Sequence, residues 1–354
     1  MPENTSRTTY REHTDTENIL KLRQVLSTLP AFCKDYFRAI DSTTTTKTRI
    51  SYAYDIRIFF QFLLDENPAF KNYAMTDFSV DVLDQIKAVD LEEYMEYLKV
   101  YQNGDKTETN GERGLKRKIS ALRSFYAYYY KREMIHSNPT VLIDVPKIHD
   151  KSIIRLDTDE VALLLDYIEH CGDSLTGQKR VYYEKTKERD LAIVTLLLGT
   201  GIRVSECVGL DIEDVDFKNN GIKVTRKGGN EMVVYFGEEV EKALKRYLEV
   251  RAGITPLAGH EHALFYSAQR KRMGVQAVEN MVKKYSRQIT TTKKITPHKL
   301  RSTYGTALYQ ETGDIYLVAD VLGHKDVNTT KKHYAALDDA RRRLAATAVR
   351  LRED

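Results

Sequence analysis

From Lys47 onward apolar residues return at every third or fourth position. Ile50, Tyr54, Ile58, Phe59 and Phe62 fall on one stripe, which predicts an amphipathic helix. The polar, β-branched run Thr43–Thr46 just before it suits a loop and a helix N-cap. Ahead of that, Ile19–Ile40 is amphipathic enough for one or two short helices. Leu91–Tyr101 and Leu115–Arg132 continue the helical period, so the first part of the chain is predicted to be all-helical.

The period is lost between Asn138 and Ile154, where Pro139 and Pro146 sit among scattered charges, as in an interdomain linker. A new helix is expected from Leu156, with Thr158 as its N-cap and Asp159 and Glu160 at the positive end of its dipole. Asp190–Leu198 reads as a buried helix stopped by Gly199-Thr-Gly201. Gly221–Thr225 and Glu231–Phe236 alternate like strands, and Arg226-Lys-Gly-Gly-Asn230 between them signals a hairpin. Helical patterns return at Glu238–Arg251, at Val275–Gln288 and from Pro297 on. The fold class expected is mainly α. An N-terminal helical bundle (1–145) and a linker (146–155) precede a mixed, mostly helical domain (156–354) with a small antiparallel β-sheet.

Composition narrows the class only a little. At 354 residues the chain fits two domains, each able to bury its own core, and 42% hydrophobic with 30% charged residues is a globular balance. It holds no apolar run near the eighteen residues that would span a bilayer, and the polar start MPENTSRTTYREHTDTEN has no secretory core. A cytoplasmic protein without a membrane partner is therefore expected. Cys33, Cys171 and Cys207 are far apart and odd in number, which reads as reduced thiols rather than a zinc site. A net charge of +4 permits nucleic-acid binding without establishing it.

Chemistry enters with Thr296-Pro-His-Lys-Leu-Arg-Ser-Thr303. Thr296 suits an N-cap and Pro297 the first helical position, so His298 and Arg301 lie one turn apart near a helix start. An imidazole and a planar cation there can grip a phosphate, although a surface helix with incidental spacing would look the same. In Leu198-Gly-Thr-Gly-Ile-Arg-Val-Ser-Glu206, Arg203 sits among apolar residues, a costly place for a cation without an anionic partner. Glu206 is placed to orient it, or simply to pair with it. Lys227 occupies the hairpin tip, where most lysines are merely solvated. Val321-Leu-Gly-His324 presents a histidine at a helix end, and Tyr334 follows ten residues later. With 23 tyrosines in the chain, local context alone cannot single it out.

Arg203, Lys227, His298, Arg301, His324 and Tyr334 occur in an order and spacing that resembles the tyrosine recombinase (phage-integrase-like) family. The likeness runs from about Leu156 to Tyr334; each position is weak alone, and the set is specific. Lys187-Glu-Arg-Asp-Leu-Ala192, Val224-Thr-Arg-Lys-Gly-Gly229 and Val282-Lys-Lys-Tyr285 look like the Xer-type single recombinases. Where many members of the family carry His after the second arginine, this chain has Ser302, for which a structural effect rather than loss of activity is expected.

The resemblance implies a site-specific recombinase that cuts DNA through a 3′-phosphotyrosyl link. Tyr334 would be the nucleophile and Lys227 the general acid for the leaving 5′-hydroxyl. Arg203 and Arg301 would clamp the phosphate, with His298 and His324 adding hydrogen bonds or proton transfer. No cofactor and no metal would be needed. It implies chromosome-dimer resolution in the Xer manner; integration or excision of a mobile element and a type IB-like topoisomerase are the alternatives, and a DNA-binding regulator with a dead site is disfavoured by the complete set. The partners implied are double-stranded DNA carrying two recombination sites, a homotetramer joined by exchange of a C-terminal helix (Leu337–Leu351), and a septal DNA translocase. Lys116, Arg117 and Arg123, off the apolar stripe of the Leu115–Arg132 helix, are the candidates for gripping DNA from the opposite face, with Arg226 and Lys299 beside the catalytic set.

Overall fold

The computed structural model describes residues 9–149, 153–226, 228–324 and 326–334. Lys227 and the expected C-terminal helix Leu337–Leu351 lie outside the described residues. The chain divides into two compact units, residues 1–150 and 151–354.

The first unit is a bundle of α1 (Tyr10–Leu26), α2 (Cys33–Ala39), α3 (Thr46–Glu66), α4 (Val82–Gln85) and α5 (Ala88–Tyr97), closed by α6 (Glu112–Lys131). α3 starts where the threonine run predicts, with the Thr45 hydroxyl accepting from the Thr48 N–H. Its core is unusually aromatic. Phe59, Phe60, Phe125, Tyr36, Tyr126 and Tyr129 are fully buried and meet edge to face, as in the 5.2 Å Tyr36–Phe125 pair. Buried phenols find partners: the Tyr36 hydroxyl is 2.8 Å from Ser124 Oγ, and that of Tyr129 donates to the Phe32 carbonyl at 2.8 Å.

The expectation of an all-helical first unit is corrected here. The helical period read through Tyr101 stops at Tyr97, and β1 (Val100–Asn103) pairs antiparallel with β2 (Lys106–Thr109). Gly104 and Asp105 form the two-residue turn, with Gly104 at φ +62°, a conformation that glycine adopts without steric cost. Val100 and Tyr101 favour extended structure, and this turn chemistry outweighs the apolar spacing.

The second unit is built around α8 (Gly177–Thr200), packed on α7 (Thr158–His170), α10 (Glu238–Ala252) and α12 (Pro297–Thr312). Residues Leu191–Leu197 of α8 are buried around the whole circumference, as expected of a helix surrounded by others. Its first turns are exposed and polar, which is why an apolar stripe marks only its second half. α9 (Val204–Gly209) follows, then β3 (Val215–Asp216), β4 (Gly221–Thr225) and β5 (Glu231–Tyr235) in an antiparallel sheet of that order, with Gly221 opposite Tyr235 and Thr225 opposite Glu231. α11 (Val275–Ile289), α13 (Ile315–Leu322) and α14 (Val327–Tyr334) complete the unit. At α7 the N-cap is Asp157 rather than Thr158: Asp157 is extended, and its N–H donates to Glu160 at 2.8 Å, so Thr158 is already helical.

Two of the sequence stretches with Xer character meet in this core. Arg189 donates from Nε and Nη2 to Asp190 at 2.9 and 2.6 Å and from Nη1 to the Tyr266 carbonyl at 3.0 Å, while the Tyr285 hydroxyl reaches the other Asp190 oxygen at 2.9 Å. This buried, paired network ties α8 to α11. The three cysteines are buried and free, and burial raises the pKa of each thiol. Among the described residues no helix is long and apolar enough to cross a membrane.

Candidate active site

The site is organised by the carboxyl end of α13. The last carbonyls of a helix have no partner within it and carry the negative end of its dipole, so they attract cations. Three guanidinium groups from three separate segments arrive there. Arg203, the N-cap of α9, donates from Nη2 to the Gly323 carbonyl at 3.2 Å. Arg301, 5% exposed on α12, donates to the Leu322 carbonyl and, from Nη1, to the Gly201 carbonyl at 2.6 Å. Arg226, where β4 turns toward β5, donates from Nη2 to the Val321 carbonyl at 2.7 Å. Consecutive carbonyls, 321 to 323, thus seat one arginine each.

The sequence folds this way for identifiable reasons. α8 ends at Gly201 with φ +62°, and a Cβ there would stand 2.3 Å from the Tyr304 ring. Only glycine turns the chain that tightly and still presents its carbonyl to Arg301. α13 ends the same way at Gly323, φ +61°, where a Cβ would fall on the Arg226 guanidinium. On the other side, the Leu156 N–H donates to the Thr303 hydroxyl at 3.0 Å, fixing α12 to the start of the unit.

One carboxylate serves the corner. Glu206, 7% exposed, accepts from the Arg203 backbone N–H and from its Nη1, both at 2.8 Å. It holds the guanidinium while leaving the Arg203 side chain about a third exposed, at 36%. Burial, reinforced by the nearby Arg203 charge, lowers the Arg226 pKa from the ordinary arginine value against the pull of Glu206.

His324 follows Gly323 directly, its N–H donating to the Ala319 carbonyl at 2.9 Å. Its Nδ1 shares a 2.7 Å hydrogen bond with the hydroxyl of Thr330, a fully buried residue of α14. Sequence reasoning missed Thr330. A threonine in the polar run Asn328-Thr-Thr-Lys-Lys-His333 carries no signal until His324 is brought against it. α14 is thereby tied to the corner, and it runs on to position 334.

The remaining candidates fall into two groups. His298 is exposed in the first turn of α12, beside half-buried Lys299, and its carbonyl accepts from the Ser302 hydroxyl at 3.1 Å. Ser302 is thus engaged within its own helix. In the first unit Lys116 and Arg117 are exposed on α6. Arg123 is tied down, donating to the carbonyls of Thr140 at 3.1 Å and Ile143 at 2.8 Å. Among the described residues no cluster of three or more His, Cys, Asp or Glu side chains is arranged to hold a metal ion.

A corner that gathers cations on helix-end carbonyls, with Glu206 orienting Arg203, has the chemistry to receive an anion. The family model of the phage integrases matches residues 155–341, more than half of the chain. The chain belongs to the phage integrase family. It is a tyrosine recombinase, one of the enzymes that cleave DNA and transfer its strands. A tyrosine recombinase XerC of Caldanaerobacter subterraneus is 32% identical over 322 residues, covering 88% of this chain and 83% of that relative. A tyrosine recombinase XerS of Lactococcus lactis is 31% identical over 340 residues, covering 89% and 93%. Among solved structures, XerH bound to a palindromic difH substrate in a post-cleavage complex superposes with a TM-score of 0.66 at 20% identity, over 97% of this chain and 90% of that one. The Xer character read from the sequence is borne out by these relatives, as is the mainly helical fold with small antiparallel sheets.

Proposed function

We propose that this recombinase holds a scissile phosphodiester at the carboxyl end of α13 and cuts it with Tyr334. One observation carries the reading: Arg203 and Arg301, far apart in sequence, donate to adjacent carbonyls, those of Gly323 and Leu322. Their guanidinium groups would bind the non-bridging oxygens and stabilise the charge of the pentacoordinate transition state. The Tyr334 oxygen attacks phosphorus, a P–O bond to tyrosine forms, and the bond to the 5′-oxygen breaks. Lys227 gives that oxygen its proton. His324, oriented by Thr330, adds a hydrogen bond to the phosphate, and His298 serves the proton of the attacking tyrosine. The covalent link keeps the energy of the broken bond, so a 5′-hydroxyl from the partner strand reverses the step without ATP.

The wider setting follows the relatives. The substrate is double-stranded DNA with two recombination sites, gripped by α6 through Lys116 and Arg117, with Arg226 and Lys299 beside the cut. Two Xer relatives at about 30% identity over most of the chain support a site-specific recombinase; in our reading it resolves chromosome dimers in the cytoplasm as a homotetramer with exchanged C-terminal segments, working with a septal DNA translocase. A nicked suicide duplex tests the central claim. Wild-type protein should accumulate a covalent adduct resistant to denaturant, and Tyr334→Phe none; an adduct formed by the phenylalanine variant would overturn the assignment of the nucleophile.

A further inference from the structure

Exposed residues recur along one face of α6: Arg113, Lys116, Arg117 and Ser120, opposite the buried Leu115, Ile119 and Leu122. Arg117 stands apart from its neighbours. Its Nη1 donates to Oδ2 of Asp55, a carboxylate in the middle of α3 whose side chain is 1% exposed, while 47% of the Arg117 side chain remains open. The other Asp55 oxygen accepts from buried Lys118 Nζ at 3.3 Å. Burial raises the pKa of Asp55, opposed by the two cations.

Lys118 alone would match this charge, so Arg117 is not needed to neutralise it. What the second contact adds is order. Fixing the guanidinium removes side-chain freedom before any ligand arrives, and a carboxylate in contact cancels much of its long-range attraction for a phosphate. A flexible, uncompensated lysine such as Lys116 is better suited to the DNA backbone, since it makes no ion pair with a carboxylate among the described residues. A braced guanidinium instead presents a fixed edge of N–H donors. In the major groove that edge matches the paired acceptors O6 and N7 of guanine.

We infer that Arg117 reads a guanine in the recombination site and that Asp55 is the positioning residue that aims it. The inference rests on the proposal above that α6 faces DNA, and adds which residue carries sequence preference.

In vitro selection from randomised duplexes, followed by competition binding over a range of salt, tests it with the full chain. Wild-type protein should select a site with one G per half-site that it prefers by about tenfold or more. Arg117→Lys keeps the charge and loses the fork; it should flatten preference at that position to about twofold, a larger change than its effect on unselected DNA. Asp55→Asn should lose the same G while binding unselected DNA equally or more tightly. If both variants keep the wild-type G, the inference is overturned. It is equally overturned if Arg117→Lys selects the same site and Arg117→Ala only lowers the salt slope by about one, the mark of a phosphate contact. Should Asp55→Asn fail to fold because Lys118 is left unpaired, Arg117→Lys decides alone. Lys116→Ala separates the two layers. An unchanged salt slope there removes α6 from the DNA; a reduced slope there, with the G still retained by Arg117→Lys, defeats only the role of Arg117.

Discussion

Glu206 offers a measurable test of how the site is held. Among the described residues it is the carboxylate bonded to Arg203, and it accepts from both the backbone N–H and Nη1 at 2.8 Å. Glu206→Gln keeps the shape and one acceptor while removing the charge. Hydrogen bonds to charged groups contribute roughly 1.5–3 kcal/mol. Arg203 is 36% exposed, so solvent screens part of that, and about 1–2 kcal/mol is the fitting range. If the loss falls on the oriented arginine in the transition state, adduct formation on a suicide duplex should slow by roughly 5–30-fold. DNA affinity should change far less, because the guanidinium charge is still present. If the same energy is lost from the folded state, the thermal midpoint should fall by roughly 2–8 °C for a unit of this size. Wild-type cleavage in Glu206→Gln, within about twofold, would refute the reasoning. It would mean that the carbonyls of α13 hold Arg203 without help.

Further predictions follow the same corner outward. Thr330→Val removes the hydroxyl bonded to His324 Nδ1 with little change of volume, and should slow adduct formation about tenfold, a loss near 1.4 kcal/mol; Thr330→Ser should restore most of it. Gly201→Ala forces a Cβ into the Tyr304 ring at a positive φ, so the melting midpoint should drop by several degrees and cleavage with it, as the carbonyl that holds Arg301 moves. Chelation by EDTA should leave adduct formation unchanged, because the proposed chemistry uses arginine, lysine, histidine and tyrosine; a metal-dependent adduct would contradict it. In single-turnover cleavage Lys227→Ala should be slow on ordinary DNA and recover on a duplex whose 5′-leaving oxygen is replaced by sulfur, which leaves without a proton.

Much of this fold could be read from apolar spacing. The helices around Phe59, Phe125, Leu244 and Val282 show it directly, since each buries a single face. Failures came where another signal outweighed period. At Val100–Thr109 a Gly-Asp turn sets a hairpin inside a helical stretch, and the first half of α8 is too polar to show a stripe at all. The catalytic candidates were legible as a set, through resemblance, whereas their supports were not. Thr330, Gly201 as the seat for Arg301, and Asp55 behind Arg117 carry no local signature. Each matters only through a contact between segments far apart in the chain, 62 residues apart for Asp55 and Arg117.

The carbonyls that seat Arg301, Arg226 and Arg203 have a physical consequence. A guanidinium paired with a carboxylate has its charge matched and gives it up to an incoming phosphate at a cost. One resting on neutral carbonyls keeps its full charge while its direction is fixed. Three such groups at one helix end repel one another, and the helix dipole offsets part of that repulsion. The corner is therefore an ordered gathering of cations at a helix end, with Glu206 fixing Arg203 from the side. Adding a carboxylate next to Arg301 in the chain, as in Ser302→Asp, should weaken phosphate capture even with every catalytic side chain intact. If Ser302→Asp cleaved DNA as fast as the native chain, the positive charge gathered at the corner would not be the source of the pocket's affinity.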